Sequence, residues 1–301
     1  MARTLDQFIA FTTDTVGIER ILRLVQALAQ VFATCALPFE LLLTAIAAHT
    51  GRKASPELTL AILIAVKQRF NLARRFFRVF RFVESFRAAQ KLYARASSTV
   101  GQQKQKDSST GNTNNIGADV WLDIFGHTFN GMYLLLEATT IIDVLDIDGL
   151  SVWDAPTRAT ISVEAQRFWL FALVCGMLSG LWKMFCIMAY APVPQQQAIT
   201  NNKSGADEKK EKEGEQDPAA LLKEEQARLR QGVQDREAHR SEERARIYKL
   251  GRGAVANAFD IAIPGAVVGW LDLSEGAVGS AMVVSTVLTG LAVWERCGEK
   301  A

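Results

Sequence analysis

A chain of 301 residues is long enough for one large core or two domains. It is 49% hydrophobic with a net charge of +2, but that total conceals blocks: residues 67–95 hold nine Lys/Arg against one acid, and 119–154 hold seven acids and no base. Four scattered cysteines, Cys35, Cys175, Cys186 and Cys297, with no C-x-x-C, exclude a disulfide framework or a zinc site.

The N-terminal stretch MARTLDQFIAFTTDT carries Asp6 and Asp14 and does not read as a signal peptide. Residues 31–48 are apolar, yet Pro38 and Glu40 within them predict a kinked or half-embedded helix. Residues 67–95, KQRFNLARRFFRVFRFVESFRAAQKLYAR, are the most informative segment. At 100° per residue Arg74, Arg78 and Arg81 share a narrow arc with Ser85 beside them, and Phe76, Val79, Phe80, Val83 and Phe86 cover the far side. This composition predicts an amphipathic helix lying in a membrane interface, with Phe at the acyl boundary and Arg among phosphates. Packing of the Phe face on residues 5–45 is the alternative, and the two can coexist. Nucleic-acid binding also wants Arg with stacking aromatics, but it does not fit a chain with membrane spans.

Residues 97–118 lack aromatics and are rich in Ser, Gln, Asn and Gly, the composition of a flexible linker. Residues 120–145 predict an amphipathic helix packed on others, since Asp123, Glu137 and Asp143 make a span costly. The first span candidate, 168–191, is apolar apart from Lys183, which can snorkel, and Trp169, Trp182 and Tyr190 are placed to anchor it. Residues 195–246 form a charged loop that turns helical from Ala219, with Glu224–Arg228 and Glu242–Arg246 at supportive spacing. Gly265 and Gly269 follow Pro264 and predict a turn or re-entrant corner. The second span candidate is 276–295; from 276 to 294 it has nineteen uncharged residues in a row, close to the roughly 20 that cross a bilayer core.

The expected fold is therefore all-α, an integral membrane protein with an N-terminal amphipathic region and about two transmembrane helices. Its parts are a helical region 1–96, the linker 97–118, a helical region 119–194, the loop 195–246 and a C-terminal region 247–301. Gly176-x-x-x-Gly180 and Gly276-x-x-x-Ser280 place small residues four apart in the two spans, where helices can approach closely.

No nucleotide loop, nucleophile elbow or dinucleotide motif is present in the sequence. His49, His127 and His239 stand alone, and Asp143, Asp146 and Asp148 lack the calcium-loop spacing. No enzyme activity, metal or cofactor is expected. The expected binding residues are Arg74, Arg75, Phe76, Phe77, Arg78, Val79, Phe80, Arg81, Val83 and Phe86, and the expected partner is an anionic phospholipid membrane.

The stretch Leu72–Val83, LARRFFRVFRFV, resembles the "SRKLFRLGKFL"-type helix of the peroxin-11 family of peroxisomal membrane proteins. Upstream, GIERILRLVQ from Gly17 to Gln26 is similar to that family's "DKVLRLLQY" segment. YLLLE at Tyr133–Glu137, RFWL at Arg167–Leu170, DIAIP at Asp260–Pro264, GWL at Gly269–Leu271 and GAVG at Gly276–Gly279 follow in the family's order. The polar inserts 97–118 and about 193–246 and Ala73 before the basic pair depart from the pattern, which fits a divergent, fungal-like member.

The resemblance implies elongation, tubulation and division of peroxisomes, self-association or association with related proteins, and recruitment of a dynamin-type fission machinery. It also implies that both termini face the cytosol and that the Arg74–Val83 helix deforms the membrane. Two other readings stay open: a pore or metabolite-permeability protein lined by Asp123, Glu137 and Asp143, and a passive scaffold working through residues 203–246.

Overall fold

The computed structural model describes residues 2–53, 55–104, 117–145, 147, 149–189 and 218–299. The middle of the expected linker, the last two residues of the first predicted span and most of the insert between the spans lie outside these residues. The described residues form ten helices and no strand: α1 (Ala2–Thr13), α2 (Thr15–Thr34), α3 (Ala36–Thr50), α4 (Pro56–Arg78), α5 (Arg81–Lys104), α6 (Ala118–Thr139), α7 (Ile141–Val144), α8 (Ala155–Ala189), α9 (Pro218–Val268) and α10 (Glu275–Gly298).

Local chemistry explains the breaks. Asp14 separates α1 from α2 and caps α2, its carboxylate accepting from the Val16 N–H at 3.0 Å. The kink expected within 31–48 is a full break at Cys35, where the backbone is extended and α3 leaves α2 at 100°. Pro38 then sits in the first turn of α3, where an N–H has no intrahelical acceptor and its loss costs little.

The single helix expected over 67–95 is two helices. Val79 and Phe80 form a tight turn in which the Val79 N–H reaches back only to the Phe76 carbonyl, and Val83 only to Phe80. The turn lets each half serve its own partner: α4 packs on α2, and α5 packs on α6.

The helix expected from Ala219 to Arg246 continues far past it, to Val268, and includes Pro264. It ends at Gly269, whose φ of +80° is a left-handed value that glycine adopts without a Cβ clash. Trp270 and Leu271 donate their N–H groups to the Gly265 carbonyl, both at 3.0 Å, and the Leu271 side chain covers Gly265. The expected turn at 265–269 is thus the terminus of a long helix.

The chain forms two compact units, residues 1–182 with 251–301, and residues 183–250. The described residues of the smaller belong to the end of α8 and the first part of α9. In the larger, α2 lies between α4 and α10. Tyr133, Leu134 and Ala165 centre an apolar cluster with Phe82, Leu136, Phe168 and Trp169, and the Tyr133 and Trp169 rings stack at 5.3 Å. Both α8 and α10 are long and apolar enough to cross a membrane, and α2 with α3 would do so together as a bent pair.

Candidate membrane-binding site

Glu19, Arg23, Gln26 and Gln30 recur along α2 at offsets of four, three and four residues, so they line one face, and all four are buried. Arg74 of α4 enters this face with only 5% of its surface exposed. Its Nε and Nη2 donate to Glu19 Oε1 at 3.2 and 3.1 Å, and its Nη1 donates to Gln26 Oε1 at 2.6 Å. One turn on, Arg78 donates to Glu137 Oε1 of α6 at 2.8 Å and lies over the Tyr133 ring, whose hydroxyl also donates to Glu137. Arg75 lies 3.7 Å from the same Glu137 carboxylate, and Arg81 is 4.0 Å from Glu19. Arg23 pairs with Asp260 of α9 and reaches Ser285 Oγ of α10 at 3.4 Å.

The electrostatics follow from that geometry. Burial, helped by Arg78, draws the Arg74 guanidinium down to about 10, so it stays charged at neutral pH and needs its partners. Burial also lowers the pKa of Arg78, but Glu137, Tyr133 and Glu19 outweigh it and the net direction is up. Burial pushes the Tyr133 hydroxyl up to about 12, so it remains a donor. A charge taken out of water without such pairing would cost several kcal/mol, so the network is strongly constrained once formed.

The apolar half of the same segment points the other way. Phe76, Phe77, Phe80 and Val83 are 50%, 41%, 80% and 54% exposed, with Phe80 at the turn itself. Val79 is half-buried. Phe86 turns inward against α6, so close that a Cβ on Gly131 would sit 2.7 Å from its ring. Beside it Asn130 donates to Ser85 Oγ at 2.9 Å. The arginine arc thus faces protein, and of the expected apolar arc Phe76, Phe80 and Val83 are open while Phe86 packs inward. Contact of Arg74 and Arg78 with phosphates would require groups here committed to Glu19, Gln26 and Glu137. Arg69, Arg87, Lys91 and Arg95 are the exposed cations of the segment.

The small residues of the spans act inside the chain. A Cβ on Gly276 would come 2.8 Å from Cys35 Sγ, and one on Gly279 would come 3.1 Å from both Gln30 and Val31, so α10 approaches α2 closely at its first two turns. Gly176 lies under the Asn257 side chain of α9, and Gly180 is buried. Ser280 faces outward and donates to the Gly276 carbonyl at 2.9 Å.

The acids considered for a polar path are each engaged. Glu137 carries the arginines, and Asp123 accepts from Ser179. Asp143 accepts from the Trp153 and Val152 N–H groups and from Ser151, hydrogen bonds that hold its carboxyl below the usual range. Among the described residues no three His, Cys, Asp or Glu side chains group as metal ligands.

Glu19, Arg23 and Asp260 were missing from the sequence-based set. A stripe of polar residues at helical spacing within GIERILRLVQALAQ was the available signal.

No curated protein and no solved structure matches the chain. The family model of peroxisomal biogenesis factor 11 (PEX11) matches residues 5–294. That match takes in both spans, the buried network and the open Phe turn, and by it the chain belongs to the PEX11 family, biogenesis factors of the peroxisomal membrane.

Proposed function

We propose that the chain remodels the peroxisomal membrane by seating the Phe76–Val83 turn in the cytosolic leaflet. The observation that carries this reading is the inverted polarity around the turn: Arg74 and Arg78 are turned inward and paired while Phe76, Phe77, Phe80 and Val83 are open. Burying a Phe side chain contributes roughly 1.5–3 kcal/mol, so three phenylalanines suffice to hold the turn at a bilayer. The wedge is aromatic, and the arginine network sets its direction. Exposed Arg69, Arg87 and Lys91 add attraction to anionic headgroups, about 1 kcal/mol each. A side chain cluster sunk roughly 5–10 Å into one leaflet expands that leaflet, and many copies bend it. Self-association and recruitment of a dynamin-type fission machinery would follow on this step.

The test uses full-length protein on anionic vesicles of peroxisome-like composition. Phe80→Glu with Val83→Glu should abolish tubulation while helical content and detergent stability are kept. Tubulation undiminished in a folded double variant would overturn the wedge.

A further inference from the structure

The two spans run in the same direction. Along α9 and α10, Arg252 pairs with Glu295, and Arg23 bridges Asp260 to Ser285, so α9 and α10 are antiparallel. Along α8 and α9, Gly176 meets Asn257, and Phe171 meets Trp270 at 6.0 Å between rings, so these are antiparallel as well. It follows that α8 and α10 are parallel. A chain that crosses a bilayer twice in one sense has to return between the two crossings.

The return segment is visible in α9. From Gly251 to Val268 the helix rises about 27 Å at 1.5 Å per residue, close to the roughly 30 Å of a hydrocarbon core. Ala254, Ala256 and Asp260 along it are buried, with Asp260 neutralised by Arg23 and with Arg252 at the entry neutralised by Glu295. Val255 and Phe259, one turn apart on one face, are exposed, and so is Val267 near the end of the helix. Charge turned inward and paired, with bare apolar surface outside, is what hydrocarbon demands of a crossing helix.

We propose that residues 251–268 are a third membrane crossing whose exposed Val255, Phe259 and Val267 side chains contact acyl chains. The loops before α8 and before α10 then lie on one side of the membrane, and the C-terminus on the other. Two further observations agree. Trp153 and Trp270, exposed aromatics suited to an interface, stand in those two loops. The α2 helix also runs antiparallel to α10, with Gln30 on the Glu275 carbonyl, Arg23 on Ser285 and its cap Asp14 paired with Arg296, and Gln7 of α1 donates to the Trp294 carbonyl, so the start of α2 lies beside the C-terminus.

The reading with only two crossings makes the opposite prediction, because everything between α8 and α10 would then stay on one side. Asp154→Cys, Asp272→Cys and Glu299→Cys, each in a full-length chain with its native cysteines replaced, are labelled with a membrane-impermeant maleimide on isolated peroxisomes, before and after permeabilisation. Asp154→Cys and Asp272→Cys should react in the same state and Glu299→Cys in the other. Asp154→Cys reacting with Glu299→Cys and apart from Asp272→Cys overturns the proposal, as does reaction of all three together. Specific protease sites inserted at the same three positions, with the native cysteines kept, repeat the assignment if the cysteine-free chain fails to insert.

Discussion

Two helices pack on α2 by different means. On one side α4 is held by charge: Arg74 on Glu19 and Gln26, with Arg78 tied beyond it to Glu137. On the other side α10 is held by proximity, through Gly276 against Thr34 and Cys35 and Gly279 against Gln30 and Val31. Charge pairing fixes the rotation of a helix, since a buried guanidinium tolerates few positions. Small residues fix the distance between two helices and leave their outer faces free to be apolar. The α4 side therefore controls where the Phe turn points, and the α10 side builds a membrane-spanning bundle.

The strongest way to break this comparison is Glu19→Ala, which leaves Arg74 buried without its carboxylate. A loss of about 3–5 kcal/mol is expected, read as a lower denaturation midpoint in detergent. The double variant Glu19→Leu with Arg74→Leu should recover much of it, and a double as unstable as the single would refute the ion-pair account. Next, Gly279→Leu forces side-chain volume into the α2–α10 contact and should cost about 1–3 kcal/mol by the same assay, without altering vesicle tubulation per folded molecule. Phe80→Glu alone should change detergent stability by less than about 0.5 kcal/mol, as an open position, yet reduce flotation with anionic vesicles. Smallest of all, Ser280→Ala lies outside the close contact and should stay within about 0.5 kcal/mol; a larger effect would place the α10 packing face elsewhere.

Helix content and the two spans could be read from residue patterns, because apolar run length acts locally, whereas the expected turn at 265–269 proved to be the end of a helix that runs on to Val268. The split at Val79–Phe80 could not be read, because no residue there is a helix breaker. It arises from two tertiary partners, α2 and α6, pulling on successive stretches of one periodic segment. Likewise the pattern in Gly176-x-x-x-Gly180 and Gly276-x-x-x-Ser280 marked close approach but not its partners, which are Asn257 and the α2–α3 bend, and it included the outward Ser280 while passing over Gly279.

The sequence by itself determined that residues 67–95 have one charged and one aromatic arc, and that the chain carries apolar helices of bilayer length. Only the tertiary structure decided that the charged arc faces inward. A helical period ranks the faces of a helix against each other but carries no information about which face meets protein. That choice was made by Glu19 and Glu137, carboxylates 55 and 59 residues away from the arginines they bind, because a buried charge is stable only where its partner already stands.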